Sequence, residues 1–262
     1  NIKVAFFLNL GFTILEIIGG IFTNSIAILS DALHDLGDSI ALGMAWYLEG
    51  FSRKESTSRY SFGYRRFSLL GALINSLVLI IGSLFILSEA IPRILNPEQA
   101  NAPGMIAFAV LGILVNGAAV LRLKGDNSMN AKVVAWHLLE DVLGWVAVLI
   151  VGIVLLFVDL PVLDPILSIL ITLYVLYNVI GNLQKTLELF LQAVPSGINV
   201  EEIEKKLLAI DNVKSTHHTH LWSLDGDHHV LTTHVVFGKN ATIEDLINLK
   251  LQSKELFEDH LF

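Results

Sequence analysis

Two short stretches of this 262-residue sequence hold side chains able to do chemistry in an apolar setting. Ser30-Asp31-Ala32-Leu33-His34-Asp35-Leu36-Gly37-Asp38 and Ala135-Trp136-His137-Leu138-Leu139-Glu140-Asp141 each contain a His and an Asp at i and i+4. On a helix that spacing puts both side chains on one face, a turn apart. Set face to face, His34, Asp38, His137 and Asp141 offer two imidazole nitrogens and two carboxylate oxygens, a borderline donor set suited to tetrahedral Zn²⁺. Neutral imidazoles and ionised carboxylates would carry two negative charges, cancelling a divalent cation where uncompensated charge is costly. Mg²⁺ and Ca²⁺ favour all-oxygen shells with more ligands. The plainer reading is a set of hydrogen bonds or salt bridges between helices. It accounts for one such pair more easily than for the same pair twice. Asp31, at i−3 from His34, is placed to support the site from behind, while Asp35 and Glu140 are expected to face a water path or an interface. Glu16 and Asn9, with Asn116 and Asn130, either line a path or bond across helices.

The elements that carry these residues are apolar. Hydrophobic residues make up 53% of the chain and charged ones 16%, and the mean hydropathy is +0.64, which excludes an ordinary soluble composition. Apolar blocks at 4–22, 26–49, 68–91, 104–121, 131–158 and 165–183 each suffice to cross a hydrocarbon core of about 30 Å, predicting six transmembrane helices. The second block would score poorly on hydropathy because of Asp31, His34, Asp35 and Asp38, and its polarity is itself the signal. Arg53, Lys54, Arg59, Arg65 and Arg66 follow the second block, and Arg122, Lys124 and Lys132 separate the fourth from the fifth. The opposite turns are nearly free of Lys and Arg, so both termini are expected in the cytoplasm. Pro92 and Pro97 are expected to end the third span, Pro103 to open the fourth, and Pro195 to close the membrane part. The absence of cysteine excludes disulfides, Cys-based metal clusters and a thiol nucleophile. A net charge of −8 argues against nucleic acid as a partner. The chain opens without Met, an n-region or a cleavage site, which reads as a trimmed chain rather than a signal peptide.

From about Ser196 the composition changes, predicting a membrane domain over 1–195 and a small α+β domain over 196–262. Helices are expected over 201–210 and 242–260, with strands over 213–224 and 228–237 around Asp225-Gly226-Asp227. Seven of the nine histidines lie here: His217, His218, His220, His228, His229, His234 and His260. Strict alternation would put His218, His220, His228 and His234 on one face, with His217 and His229 opposite. Such a tract either binds divalent metal or is a set of solvated polar residues. Trp222 is expected in the core.

The chain resembles the cation diffusion facilitator family of zinc-type transporters. The matching pieces are Asn24-Ser25-Ile26-Ala27-Ile28-Leu29-Ser30-Asp31-Ala32-Leu33-His34 running on to Asp38, Tyr60-Ser61-Phe62-Gly63-Tyr64-Arg65-Arg66, His137 with Asp141, Asp164-Pro165 and Val194-Pro195. The resemblance implies a homodimer of six-helix protomers in the lipid bilayer of the cell membrane. Each protomer would move a divalent metal out of the cytosol in exchange for protons, and the cytoplasmic domain would have a ferredoxin- or metallochaperone-like fold that senses metal and dimerises. It further implies Zn²⁺ as cargo in preference to Cd²⁺, with Co²⁺, Fe²⁺ or Mn²⁺ as other candidates, and no organic cofactor. His217 and His234 are the positions it carries over as cytoplasmic metal ligands. Two departures stand out. Tyr60 and Tyr64 replace histidines that give some relatives a further site, and the sequence stops at Phe262, before the third strand usual in the family's cytoplasmic domain.

Ligand chemistry alone couples metal to protons, since the atoms that hold one bind the other. An intramembrane metallohydrolase is disfavoured by the lack of a His-Glu-x-x-His element and of a Gly-x-Ser-x-Gly nucleophile. Four protein ligands would also close the coordination position that catalysis needs open. A passive channel would lack coupling to a pH gradient, and a sensor would bind metal without flux.

Overall fold

The computed structural model describes residues 2–52, 56–123 and 129–257. Six long helices come first: α1 (Ile2–Thr23), α2 (Ile26–Ser52), α3 (Phe67–Leu95), α4 (Ala102–Leu123), α5 (Met129–Phe157) and α6 (Leu163–Phe190). A short helix α7 (Val200–Leu208), strands β1 (Val213–Ser223) and β2 (His229–Phe237), and helix α8 (Ile243–Phe257) follow. Among the described residues, five helices are long and apolar enough to cross a membrane. The sixth, α2, is 27 residues long and carries the polar stretch around His34. The chain is a multi-pass membrane protein with a small α+β tail. His260, Arg53, Lys54 and Lys124 lie outside the described residues.

Two boundaries differ from expectation. Helix α3 runs through Pro92 to Leu95, because a proline one turn from a helix end removes only one hydrogen bond, and the amide of Asn96 still reaches the Pro92 carbonyl at 2.9 Å. Helix α6 continues past 183 to Phe190 and so takes in Lys185 and Glu188.

One compact unit comprises Asn1–Trp46 with Ile74–Asn182. Its core is centred on Trp145, wholly buried with Ala27, Ile28, Met105, Ala109 and Val148. Helix α4 packs along α5 and α1 against α4. The close approach of α4 to α5 depends on Gly112, where a Cβ would lie 2.3 Å from the Trp145 ring; small residues at such contacts let helices pack without a hydrophobic drive between them. Phe7, Leu8, Phe22, Leu114 and Phe157 point outward, as expected where lipid tails are the solvent.

The start of α2 is anchored by side chains. Asn24 takes a left-handed backbone, φ 52°, which its short polar side chain tolerates, and ends α1. The hydroxyl of Ser25 then caps α2 by accepting from the amide of Ile28 at 3.2 Å. Asp164, in the first turn of α6, accepts the Ser25 hydroxyl, the Ile26 amide at 2.7 Å and the Ala27 amide at 3.4 Å. All the first-turn donors of α2 are thereby met, in a medium where an unmet one costs several kcal/mol. Ser30 pairs with Thr172 at 2.8 Å, a second tie of α2 to α6.

The other unit comprises Tyr47–Leu73 with Leu183–Phe262. Helix α7 is capped by Asn199, whose side chain accepts from the Glu201 amide, and carries Glu201 and Glu202 in its first turn and Lys205 and Lys206 in its last, the order that suits a helix dipole. Its buried Ile203 and Leu207 pack with Ile210 and Leu221. Strands β1 and β2 pair antiparallel, with His217 opposite His234 and Ser223 opposite His229. The register slips between His217 and His220, where His218 has φ 53°. In the α2–α3 loop, the rings of Tyr60 and Tyr64 meet at a tilt of 50° with centroids 4.8 Å apart, near Phe67.

Candidate metal centre

His34 and Asp38 sit mid-helix on α2, and His137 and Asp141 on α5. The i,i+4 spacing gives each helix one inward-facing pair; His34, Asp38 and His137 come together, and Asp141 approaches His34 but falls outside their cluster. The Nε2 of His137 lies 2.7 Å from Oδ2 of Asp38. The Nε2 of His34 lies 3.9 Å from that same oxygen and 3.9 Å from Oδ1 of Asp141. The two imidazole rings meet edge to face with centroids 5.5 Å apart. Ligand atoms of His34, Asp38 and His137 all fall within 4.8 Å of one another. A tetrahedral ion with bonds of about 2.0–2.1 Å needs donor-to-donor edges of about 3.3–3.4 Å. The His137–Asp38 and His34–Asp38 separations, 2.7 and 3.9 Å, straddle that value, whereas Asp141, 3.9 Å from His34 and outside the three-residue cluster, would have to close in to complete a tetrahedron. As it stands the site is held by hydrogen bonding between His137 and Asp38.

Burial is graded across the site. Asp141 is nearly closed off, with 9% of its side chain exposed, whereas Asp38 at 29% and His34 at 27% keep contact with solvent space. Ions can therefore reach the donors while one carboxylate stays shielded. Asp31 is buried, but its Oδ2 and the Nδ1 of His34 both lack a hydrogen-bond partner among the described residues, so the support for His34 expected from i−3 is not formed here as a hydrogen bond.

Asp35 was expected to face a water path or an interface. It is instead buried beside Glu16 of α1, because α1 packs over that side of α2. Asn9 of α1 donates to the Asp35 carbonyl and to the Ser39 hydroxyl, both at 3.0 Å, so its role is bonding across helices. Glu16 is buried too, neither oxygen having a hydrogen-bond partner among the described residues. Glu140 points away from the centre and accepts from the Tyr174 hydroxyl at 3.1 Å. Asn116 is buried with its Nδ2 unpartnered among the described residues, and the side chain of Asn130 lies outside those described.

The histidine tract is arranged differently from strict alternation. The bulge at His218 restores His217 to the position directly across from His234, since one extra residue in a strand reverses which face the following side chains take. The His218 ring also lies near that of His234, centroids 5.3 Å apart. No cluster of three ligand atoms forms there among the described residues; the one such cluster is His34, Asp38 and His137. His228 does not share that face. It precedes β2 because the Asp225 carboxylate accepts its amide at 2.8 Å, and its ring lies between Asp225, 2.9 Å away, and Arg65 of the α2–α3 loop, 2.7 Å away. Burial raises the cost of charge on Asp225, but the amides of His228 and Asp227, with the His228 ring, outweigh it and hold the carboxyl below its usual range. Trp222 is half-buried rather than central and meets Phe62 edge to face at 6.3 Å.

Reading the sequence alone missed Asp164. Its place before Pro165 marked only the opening of α6, and nothing in the local sequence shows that its carboxylate caps another helix.

Helices that bring ionisable metal-ligand side chains together inside a membrane bundle define an ion-handling membrane protein. Residues 2–191 match the cation efflux transmembrane domain, and residues 195–252 match the cytoplasmic domain of cation efflux proteins. The chain is 34% identical over 262 residues to the metal cation efflux system protein CzcD of Cupriavidus metallidurans, covering 98% of this chain and 83% of that one. It is 32% identical over 250 residues to the cadmium, cobalt and zinc/H⁺-K⁺ antiporter of Bacillus subtilis, covering 94% and 80%. With the zinc transporter ZitB of Escherichia coli it shares 33% over 235 residues, covering 88% and 75%. The chain belongs to the cation efflux, or cation diffusion facilitator, family, a family of transporters and not of enzymes.

Proposed function

We propose that this protein exports divalent metal from the cytosol, Zn²⁺ foremost, in exchange for protons, through a site made by His34, Asp38, His137 and Asp141. The observation that carries the reading is the cluster of His34 and Asp38 from α2 with His137 from α5, ligand atoms within 4.8 Å of one another, with Asp141 of α5 3.9 Å from His34. The relatives' names, a zinc transporter and a cadmium, cobalt and zinc antiporter among them, agree with that cargo. Two imidazoles with two carboxylates suit Zn²⁺, and Cd²⁺, Co²⁺, Fe²⁺ and Mn²⁺ are the other candidate cargoes.

Metal binding requires neutral imidazoles and ionised carboxylates, so protons compete for the same atoms. In a state open to the cytosol the deprotonated donors take up metal. Once the bundle opens outward, protonation of the histidines, with help from the carboxylates, releases it, and the proton-loaded form returns. The hydrogen bond between His137 and Asp38 is the arrangement suited to a site holding protons in place of metal.

Residues 196–262 act as a cytoplasmic domain, with His217 and His234 as metal ligands that bias the cycle by binding one conformation better than another. Their cross-strand pairing supports this role. The protein works as a homodimer in the cell membrane with both termini in the cytoplasm, as the run of Arg after α2 suggests and as fits a match to the family's cytoplasmic domain.

The test is zinc flux in proteoliposomes with and without an imposed pH gradient, for the unaltered chain and for Asp141→Ala. Flux that follows the gradient and vanishes in the variant is the expected result. Flux indifferent to the gradient would mean a channel, and binding without flux a sensor. Near-normal gradient-driven flux in Asp141→Ala would remove that residue from the site.

A further inference from the structure

A cavity of about 340 Å³ lies within the second unit, between the α2–α3 loop and the end of the β1–β2 hairpin. Arg59, Arg65 and Arg66 line it together with Ser61, Phe62 and Trp222, and none of its described lining residues is acidic. The three guanidinium groups differ in how they are engaged. Arg65 is taken up by His228 and by Asp225, 3.6 Å away. Arg59 lies over the Tyr60 ring, 5.7 Å from its centroid, and is otherwise exposed. Arg66 is the exception: its Nε and Nη2 are buried and have no hydrogen-bond partner among the described residues.

Those two atoms form one edge of the guanidinium, the fork that takes two oxygens of a phosphate or carboxylate side by side. Arginine cannot relieve its burial by losing its proton. Leaving two charged donors unmet is therefore among the costlier things a fold can do, unless an anion meets them. Among the described residues that line the cavity or pair with its lining, three guanidiniums stand against the carboxylate of Asp225, an excess that suits a phosphate. The place narrows the source. Helix α2 ends at Ser52 and α3 begins at Phe67, so the loop between them lies at the ends of two spans, at headgroup level. Basic pockets there recognise anionic lipids, and Phe62 and Trp222, in contact with each other, form an apolar wall for the lipid's glycerol and upper acyl portion.

We infer that this cavity binds a phosphate oxyanion, supplied by the headgroup of an anionic phospholipid, with the Arg66 side chain turning into the cavity to grip two phosphate oxygens through Nε and Nη2. Arg59 and Ser61 complete the contact.

The experiment is native mass spectrometry of the full chain, stripped of lipid in detergent and titrated separately with phosphatidylglycerol, phosphatidylcholine and inorganic phosphate. Expected is saturable binding of phosphatidylglycerol in preference to phosphatidylcholine. Arg66→Gln should weaken it by about tenfold or more, the worth of one or two charge-assisted hydrogen bonds. Arg66→Lys, which keeps the charge and loses the fork, should fall between. Arg59→Gln guards against misfolding of the Arg66 variants: its exposed side chain leaves the fold intact, and it too should weaken phosphatidylglycerol. Lys239→Gln, away from the cavity, should change nothing. If millimolar inorganic phosphate displaces the lipid and itself depends on Arg66, the site stands with a soluble phosphate as a second source. Equal binding of both lipids, or phosphatidylglycerol titrations unchanged in both the Arg66→Gln and Arg59→Gln variants, would overturn the proposal.

Discussion

Asp38→Asn is the sharpest perturbation of the candidate site. Oδ2 of Asp38 is the donor nearest both imidazoles, 2.7 Å from His137 and 3.9 Å from His34, so its replacement removes the donor that both imidazoles approach. The substitution keeps shape and volume, and the side chain is 29% exposed, so packing around it should survive. What changes is charge and ligation: the site drops from two carboxylates to one, and a divalent ion is left with one positive charge uncompensated. Loss of a residue that merely supports a ligand costs about 10–100-fold in metal affinity. Loss of a direct ligand should cost at least that, or about 1.4–2.7 kcal/mol. Equilibrium dialysis of zinc against purified protein at neutral pH measures it, with melting temperature as the check on folding. A folded Asp38→Asn protein that binds zinc within threefold of the unaltered chain would refute the assignment of Asp38 as a ligand, and with it the proposed tetrahedral site.

Three further outcomes are expected. His34→Asp exchanges an imidazole nitrogen for a carboxylate oxygen and should broaden transport toward the larger Cd²⁺; an unchanged zinc-to-cadmium flux ratio would show that His34 does not set selectivity. Gly112→Ala adds a Cβ 2.3 Å from the Trp145 ring, and the rigid base of that ring has nowhere to go in a wholly buried position. Overpacking costs about 1–3 kcal/mol against a helix-propensity gain of at most about 1 kcal/mol, so the melting temperature should fall. In the hairpin, the folded pKa of Asp225 lies below its unfolded value, so its stabilisation is present above the ordinary carboxylate range and is lost as pH falls through the lowered folded pKa. Hydrogen-exchange protection at Asp227 and His228 should drop on acidification into that range, and Asp225→Asn should make protection there nearly independent of acid.

Much of the fold could be read from the chain. Length and apolarity marked five of the six long helices, because a hydrocarbon core sets helix length directly. Even α2 was found, through the ionisable residues that make it a poor span by hydropathy, since their cost in a membrane demands a use. The equal spacing of His34–Asp38 and His137–Asp141 pointed to one face on each helix, because helix geometry fixes which side chains share a face, and three of those four residues cluster in the structure. Tertiary structure decided the rest. That Asp35 turns to Glu16 beneath α1, and Glu140 to Tyr174, depends on which helix covers which side, and i,i+4 arithmetic does not contain it. The pairing of His217 with His234 came from a bulge at His218, a single left-handed residue that inverts a period-two pattern. Asp164 caps α2 from α6, and two donors of Arg66 are buried with no hydrogen-bond partner among the described residues. Both facts depend on segments far apart in sequence coming within hydrogen-bonding range, or failing to, and no local pattern of residues records that.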